Sequence, residues 1–247
     1  MLLTKLLKKI PWFRKKLAIL NPKLKDILYT FFKEDTPLTL FDVGANTGQT
    51  IDFALRTFPK AKIYSFEPTP QLVSDLKKKY QSNSNIFISD LALSDHAGFI
   101  DFHVSEFSPT NSCLEPDNEL YENFDYKLAG ILKRSNTIKV ETIDLDTWYK
   151  QNMKEESIDF MKIDTQGFEF NVIKGGINIL VEHTKVLCFE IQYLSFYKNQ
   201  VPFYKIYEFL YDNGFIYYCQ LSATRNNFFQ ILESDVVFIN TRFIKPL

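Results

Sequence analysis

A short apolar run that contains an acid is followed by a glycine-containing loop, and this stretch limits the folds that the chain can adopt. Residues 38–43 read Leu-Thr-Leu-Phe-Asp-Val, and the small, turn-prone residues 44–48 follow. An apolar run of this length with turn signals at its end is typical of a buried strand. Gly44 and Gly48 permit backbone angles that a side chain forbids, and Asn46 enters the left-handed region readily. The stretch therefore predicts a strand, a tight loop and a helix whose first amide groups face a ligand in the loop.

The spacing of this loop separates two classes of nucleotide-binding protein. The dinucleotide fingerprint Gly-x-Gly-x-x-Gly is absent, because position 46 is Asn and position 51 is Ile. The spacing Asp-x-Gly-x-Asn-x-Gly resembles instead the first motif of methyltransferases that use S-adenosyl-L-methionine (SAM). Glu67 ends the next predicted strand, 19 positions after Gly48, where an α/β fold places the acid that binds ribose hydroxyls. An ordinary strand-to-helix turn is the alternative interpretation of the loop taken alone.

Five segments, in order along the chain, resemble the FkbM family of SAM-dependent methyltransferases. They are residues 42–48 (Asp-Val-Gly-Ala-Asn-x-Gly), 66–70 (Phe-Glu-Pro-x-Pro), 91–98 (Leu-Ala-Leu-Ser-Asp-x-x-Gly), 161–169 (Met-Lys-Ile-Asp-x-Gln-Gly-x-Glu) and 173–176 (Ile-Lys-Gly-Gly). The similarity runs from about residue 38 to residue 240. The resemblance implies methylation of a hydroxyl, often on a sugar or a polyketide-type product, with SAM as the methyl donor.

The same resemblance implies the fold. It is of the α/β class, a Rossmann-like class I methyltransferase fold, with a seven-stranded, mostly parallel sheet, helices on both faces and an antiparallel C-terminal hairpin. A second function stays open: the chain could be a catalytically degenerate SAM-binding protein, or another nucleotide-binding Rossmann-like interaction protein. An NAD-dependent enzyme is disfavoured because its glycine spacing is missing.

Composition and charge set limits on the class of protein. A length of 247 residues suits one α/β domain, here predicted over residues 38–247. A net charge of −1 argues against a nucleic-acid partner. The cysteines, Cys113, Cys188 and Cys219, are odd in number and lack metal-ligand spacing. They indicate a reduced, cytoplasmic protein.

The first 37 residues are predicted to form a separate basic helical segment. Residues 1–25 contain eight basic residues and no acid, and their apolar residues share one helical face. Two interpretations are open: a helix packed on the domain with its basic face in solvent, or peripheral contact with the inner face of a membrane. No apolar run reaches the roughly 18 residues of a membrane span.

Residues at the ends of four predicted strands are predicted to bind SAM. Around the first loop these are Asp42, Gly44, Asn46 and Gly48, and Glu67 follows the second strand. The remaining residues of the predicted SAM site are Asp90, Leu91, Ala92 and Asp164. The resemblance implies that the loop after the third strand meets the adenine ring, with an acid accepting from its amino group. A turn-capping role is the alternative for the acid at position 90.

Methyl transfer to a sugar hydroxyl calls for a base that takes the hydroxyl proton. Asp164 is the first candidate, because it ends a strand beside the expected methyl donor. Glu169 comes next, about one helical turn away, and His103 lies on a predicted strand near a variable loop. Glu190 and the two other histidines complete the candidates. No set of metal ligands is evident, so the reaction is predicted to be metal-independent.

A polar loop at residues 107–116 is predicted to lie over the site and to help select the acceptor. Asn111, Ser112 and Gln166 are the predicted acceptor-binding residues. A solvent-exposed connector is the alternative for this loop. Residues 119–134 have no clean period, and two interpretations are open: a lid or a second part of the acceptor site. Residues 195–213 predict one long helix.

Overall fold

The computed structural model describes residues 22–105, 108–117 and 134–245. The predicted basic segment lies outside the described residues up to position 21, as does the predicted lid up to position 133. Within the described ranges, no helix is both long enough and apolar enough to cross a membrane.

The described residues form ten strands and seven helices. The strands are β1 (Thr39–Val43), β2 (Lys62–Phe66), β3 (Ile86–Ser89), β4 (Ala92–Ser94), β5 (Gly98–Ser105), β6 (Arg134–Asp144), β7 (Ile158–Ile163), β8 (Thr184–Gln192), β9 (Phe215–Arg225) and β10 (Ile231–Asn240). The helices are α1 (Leu24–Phe31), α2 (Gln49–Thr57), α3 (Pro70–Tyr80), α4 (Leu145–Asn152), α5 (Glu169–Gly175), α6 (Ile177–His183) and α7 (Phe203–Asp212).

Seven strands make the main sheet, in the order β3-β2-β1-β7-β8-β10-β9. The first five of these run parallel, whereas β10 is antiparallel to both β8 and β9. The chain builds outwards from β1 to β3 and then returns to the other side of β1 with β7. This arrangement confirms the predicted Rossmann-like fold with its antiparallel C-terminal hairpin, and it puts the switch in strand order between β1 and β7.

Apolar side chains cover both faces of the central strands, as parallel sheets require. On one face, Phe41 and Phe66 pack edge-on against Trp148, with ring centroids 5.6 and 4.8 Å apart. On the other face, Leu40 packs in a second cluster with Phe58 of the α2–β2 connection. Because alternate residues of one strand enter different clusters, β1 is held rigidly from both sides.

A second, three-stranded sheet is present that the sequence did not predict as a sheet. Its order is β4-β6-β5, with β6 parallel to β4 and antiparallel to β5. Gly175 brings α5 onto this sheet, because a Cβ there would overlap the carbonyl oxygen of Ser94. The pair Gly175 and Gly176 therefore provides both the close packing and the break between α5 and α6.

The predicted helix over residues 195–213 is wrong in its first half, since α7 begins only at Phe203. Pro202 is the N-cap residue of this helix, and the ring of a proline disfavours helical geometry at the residue before it. Residues 195–202 instead form an irregular segment in which Tyr197, 2% exposed, pairs through an isolated bridge with Pro116. The segment thereby holds the polar loop against the domain.

Candidate active site

A cavity of about 500 Å³ opens at the carboxyl ends of the parallel strands. It adjoins the switch in strand order, where ligands bind in open α/β sheets. Its walls come from the loops after β1, β2, β3 and β7, from the ends of β8 and β10, and from the polar loop. The lining residues used below are Gly44, Asn46, Phe66, Glu67, Leu91, Ala92, Phe102, Asn111, Cys113, Lys162, Asp164, Gln166, Glu190, Glu233 and Asp235.

The loop after β1 needs its glycines. Gly44 has φ +86°, and a Cβ on it would overlap the carbonyl oxygen of Asp164. Gly48 has φ +88° and is the N-cap residue of α2. Asn46 also has a positive φ, 46°, as the sequence indicates for this residue type. The loop backbone therefore passes against the end of β7 at a distance that only glycine permits.

Asp42 lies beneath the cavity and does not line it. The side chain is 1% exposed, Ser65 Oγ donates to its Oδ2 at 3.5 Å, and its Oδ1 lacks a hydrogen bond of normal geometry among the described residues. Burial raises the pKa of Asp42 to about 7, against the opposing effects of the nearby Thr50 hydroxyl and the Lys162 charge. An acid with a near-neutral pKa thus sits under the β1 loop.

Glu67 joins the ends of β1 and β2. Its Oε2 accepts from the amide of Asn46 and its Oε1 from the amide of Thr69, both at 2.9 Å. Burial raises the pKa of this carboxyl, although the hydrogen bonds from Thr69 and Asn46 oppose the rise. Each oxygen keeps acceptor capacity beyond its amide bond, so the predicted role with ribose hydroxyls is sterically and chemically open to it.

The wall beyond β3 is largely apolar. Leu91 and Ala92 line the cavity there, close to Phe66 and Phe102 in sequence-distant strands. Asp90 does not line the cavity, and its side chain is exposed. The structure therefore brings two of the three predicted adenine-site residues into the wall and leaves the acid outside it.

Lys162 and Asp164 form a charge pair at the cavity, in which the lysine is buried and the side chain of Asp164 is 37% exposed. Lys162 Nζ lies 3.0 Å from Asp164 Oδ2 and 3.0 Å from Asp235 Oδ1. Burial would raise the pKa of Asp164, but the charge and hydrogen bond of Lys162, with a hydrogen bond from Gln166, hold it below its ordinary value. Burial would lower the pKa of Lys162, but the charges of Asp164 and Asp235 keep it well above its ordinary value.

Gln166 connects this pair to β8. Its Nε2 donates to Asp164 Oδ1 at 3.0 Å and to Glu190 Oε2 at 2.8 Å, and Tyr197 Oη donates to its Oε1 at 3.1 Å. Ser112 Oγ donates to its carbonyl oxygen at 2.7 Å. Gln166 has φ +55°, a strained backbone conformation for a residue other than glycine. Both the nitrogen and the oxygen of its side-chain amide have hydrogen-bond partners.

Two of the predicted catalytic residues lie outside the cavity wall. Glu169 Oε1 accepts from the amides of Thr165 and Gly167, at 2.9 and 3.2 Å, and fixes the turn before α5. Burial raises the pKa of Glu169 to about 7, despite these backbone hydrogen bonds. His103 lies on β5, where its Nδ1 is 3.2 Å from Thr137 Oγ1. Neither residue is among those that line the cavity.

The polar loop lies over the cavity in its described part, residues 108–117. Ser108 Oγ donates to Asn46 Oδ1 at 3.1 Å and so joins this loop to the β1 loop. Asn111 lines the cavity, whereas Ser112 is buried beside it and binds the Gln166 carbonyl. Of the three predicted acceptor-binding residues, Asn111 and Gln166 therefore face the cavity and Ser112 supports one of them.

Lys162, Glu233 and Asp235 line the cavity but were not predicted from the sequence. A signal for the first was present, because a lysine inside the apolar run of β7 must find a partner when buried. Glu233 and Asp235 carried no comparable signal in the sequence. They reach the cavity because β10 pairs with β8, which puts Glu233 opposite Gln192 and Asp235 opposite Glu190.

Residues 42–217 match the family model described as the methyltransferase FkbM domain. This chain belongs to the FkbM methyltransferase family. The 2-O-methyltransferase NoeI of Sinorhizobium fredii (strain NBRC 101917 / NGR234) is 31% identical over 178 residues, which cover 69% of this chain and 70% of NoeI. The methyltransferase sdnD of Sordaria araneosa is 31% identical over 153 residues, covering 55% of this chain and 59% of sdnD.

The fold agrees with this FkbM assignment. The crystal structure of methyltransferase FkbM from Methylobacillus flagellatus KT superposes with a TM-score of 0.56 at 10% identity. The alignment covers 90% of this chain but only 50% of that one, so this chain spans about half the length of that FkbM structure.

Metal ligands were not expected at this FkbM site. Within the ranges that the structure describes, no group of three or more His, Cys, Asp or Glu residues is arranged to hold a metal ion. Metal independence stays a prediction, because it is a statement about turnover.

Proposed function

We propose that this protein is a SAM-dependent O-methyltransferase that acts on a hydroxyl of a sugar, a glycan or a related natural product. One observation carries the proposal. A continuous cavity of about 500 Å³ extends from the β1 loop and Glu67, past Asp164, to the carboxylates at the ends of β8 and β10. Ligand pockets typically measure about 300–1,000 Å³, so the volume accommodates a methyl donor with the reacting part of an acceptor.

The β1 side of the cavity fits the methyl donor. Gly44 leaves no room for a Cβ against the carbonyl oxygen of Asp164, so the β1 loop lies close to the end of β7 beside the cavity. Asp42, whose Oδ1 has no hydrogen-bond partner among the described residues, places an ionisable carboxyl under the same loop. In the proposal Glu67 accepts from the ribose hydroxyls, while Leu91 and Ala92 pack against the adenine. When bound, SAM supplies an electrophilic methyl group.

The other proposed contacts to the donor follow the strand ends. Asn46 and Gly48 shape the loop, and Asp164 borders the position where donor and acceptor meet. Asp90 remains a proposed partner of the adenine amino group, although its exposed side chain would have to turn towards the cavity.

The β8–β10 side supports a polyhydroxylated acceptor. Among the residues that the structure describes, its wall carries Asp164, Glu190, Glu233 and Asp235, against one cation, Lys162. Carboxylates accept hydrogen bonds from hydroxyls and repel phosphate. This charge favours a neutral or amine-bearing sugar over a sugar phosphate, and the 2-O-methyltransferase NoeI agrees with transfer to oxygen.

Calorimetry tests the donor half of the proposal. We expect SAM and its demethylated product to bind the full chain, and NAD not to bind. Glu67→Gln should weaken SAM binding at least tenfold, whereas the matched control Glu182→Gln, on an exposed position of α6, should not. NAD binding without SAM binding would refute the proposal.

Label transfer tests the acceptor half. Methyl-labelled SAM is incubated with a panel of methyl glycosides, amino-sugar glycosides, glycan fragments, polyketide alcohols and matched sugar phosphates. Label is expected on a neutral or amine-bearing hydroxyl compound, with EDTA leaving turnover unchanged. SAM binding without transfer to any compound would favour a catalytically degenerate SAM-binding protein instead.

Peripheral membrane contact through residues 1–25 is proposed only on the basis of their sequence. It would suit a lipid-linked glycan acceptor. Flotation with anionic liposomes, comparing the full chain with a chain lacking residues 1–25, decides the matter. Equal flotation of the two would refute the contact.

A further inference from the structure

The carboxylates around the β7 and β8 ends differ in how far their oxygens are already occupied. Asp164 has both oxygens engaged, Oδ2 by Lys162 and Oδ1 by Gln166, each at 3.0 Å. A carboxylate held by a lysine and an amide is stabilised as the anion and is a weak base. Asp164 is therefore suited to holding Lys162 and Gln166 in place.

Glu190 is occupied on one oxygen only. Its Oε2 accepts from Gln166 Nε2 at 2.8 Å and from Gln192 Nε2 at 3.4 Å, and its Oε1 receives no hydrogen bond from any described residue. The residue lines the cavity on the acceptor side of Asp164. One oxygen is thus fixed by the protein, and the other remains for a ligand.

The amide that fixes Glu190 is itself immobilised. Tyr197 Oη donates to Gln166 Oε1, and Ser112 Oγ donates to the Gln166 carbonyl oxygen. Tyr197 and Ser112 both belong to segments that the polar loop brings together. These hydrogen bonds hold Gln166, and through it Glu190, in one orientation, which a general base requires.

We propose that Glu190 is the general base that takes the proton from the acceptor hydroxyl. The inference rests on the proposed O-methyltransferase function. The acceptor oxygen bonds to the methyl carbon as the carbon–sulfur bond breaks, with the bonding electron pair remaining on sulfur. The hydroxyl proton passes to the Glu190 carboxylate, so a cationic donor and an anionic base become a neutral thioether and a neutral acid.

The charges that face Glu190 support this role. From β7 and its loop come Asp164 and Lys162, from the first residue of α5 comes Glu169, and from β10 come Glu233 and Asp235. Burial first, and then the charges of Asp164, Glu233 and Glu169, raise the pKa of Glu190 well above its ordinary value, although Lys162 opposes them. A base is most effective when its pKa approaches the working pH.

The other candidate bases are placed less well. Glu169 and His103 do not line the cavity, and Glu169 already accepts from two backbone amides. Asp164 touches the cavity, but proton transfer to it would compete with both of its hydrogen bonds. The geometry therefore favours Glu190 over each of them.

A titration provides a test that needs no acceptor. Carboxyl carbons of glutamate are followed by NMR across pH in the full chain without SAM, and Glu190→Gln assigns the Glu190 signal. We expect that signal to titrate at higher pH than an ordinary glutamate carboxyl. Titration together with the exposed glutamates would overturn the inference, because Glu190 would then be no better a base than a surface carboxylate.

Kinetics test the role itself, with the acceptor that label transfer identifies. Glu190→Gln should lower kcat by about 10²–10⁴ while the Kd for SAM stays within threefold, and it should abolish the rise of the rate with pH that precedes the plateau. Glu190→Asp should retain part of kcat. Glu182→Gln is the matched control for a lost surface charge.

The outcomes separate the two proposals. If the wild-type protein transfers label and Glu190→Gln keeps more than a third of kcat, Glu190 is not the base and the O-methyltransferase proposal stands. If the wild-type protein transfers label to no compound, the O-methyltransferase proposal fails and the inference fails with it.

Discussion

Replacing Asp42 by asparagine should make the protein more stable at high pH than the wild type. Asn keeps the size of the side chain and removes its charge. In the wild type, Asp42 is 1% exposed and must ionise without a hydrogen bond to Oδ1 from the described residues. Ionisation of Asp42 therefore costs free energy in the folded protein, where the carboxyl is buried, but not in the unfolded chain, where water solvates it.

The sign follows from proton binding. Burial raises the pKa of Asp42 from 3.8 to about 7 in the folded protein. Between these values the folded state holds a proton that the unfolded state has lost, so the free energy of unfolding falls as pH rises. A rise from 3.8 to about 7 corresponds to about 4 kcal/mol in total. The loss begins above pH 4 and is nearly complete at pH 8.

Denaturant unfolding of both proteins at pH 4 and at pH 8 measures how the stability difference between Asp42→Asn and the wild type changes with pH. The free energy of unfolding of Asp42→Asn minus that of the wild type should increase by about 4 kcal/mol from the lower to the higher pH. Glu169, whose pKa is also about 7, titrates in both proteins, so its contribution cancels. Asp35→Asn, at a side chain that is 93% exposed, controls for loss of a surface carboxylate.

An effect of a surface charge is about 1 kcal/mol or less. If the stability difference changed by less than this between the two pH values, the expected cost of ionising Asp42 would be refuted. Such a result would mean that Asp42 ionises freely, through water or relaxation of the β1 loop. A second consequence concerns the donor. SAM is a cation, so its binding should favour ionised Asp42 and release protons, which calorimetry in buffers of different ionisation enthalpy detects.

Three further variants probe the site. Gly44→Ala should lower the free energy of unfolding by at least about 2 kcal/mol and prevent SAM binding, because φ is +86° and a Cβ would meet the carbonyl oxygen of Asp164. The control Gly214→Ala has φ +83° but its nearest neighbouring atom at 3.7 Å, so its loss of unfolding free energy in urea should be smaller. Lys162→Met should lower the free energy of unfolding by about 1.5–3 kcal/mol at pH 7, because Asp164 and Asp235, whose side chains are 37% and 32% exposed, lose the cation that binds both. The loss should shrink at pH 4, and equal losses at both pH values would contradict this. Glu67→Gln should cost about 1–3 kcal/mol in thermal unfolding through one mismatched amide hydrogen bond, and an unchanged midpoint would refute the structural role.

Much of the β1 side of the cavity was predictable because its signals are local. Gly44 and Gly48 stand where positive φ is needed, and Glu67 ends the strand that follows. Each of these features lies within about 30 residues of the others along the chain and repeats a known strand–loop–helix geometry. The exception is Asp90, where the pattern located the loop but not the direction of the side chain.

The β8–β10 side of the cavity was less predictable because its residues are distant in sequence. Gln166, Glu190 and Tyr197 come from different segments and meet only when β7 and β8 pair and the irregular segment folds back. The helix predicted over residues 195–213 failed for the same reason. Local periodicity favoured a helix, but Pro202 and the contacts of Tyr197 outweighed it.

Backbone preferences and apolar periodicity act over a few residues, so local sequence is enough to predict the alternation of strands and helices, the glycine loop after β1 and the acids at the strand ends. Which side chains share a wall of the cavity depends on contacts between segments that are distant along the chain. The tertiary structure paired β5 with β6 in a second sheet, and it placed Lys162 between Asp164 and Asp235. Periodicity encodes which face of a strand is buried, whereas the partner of that strand depends on packing of the whole chain.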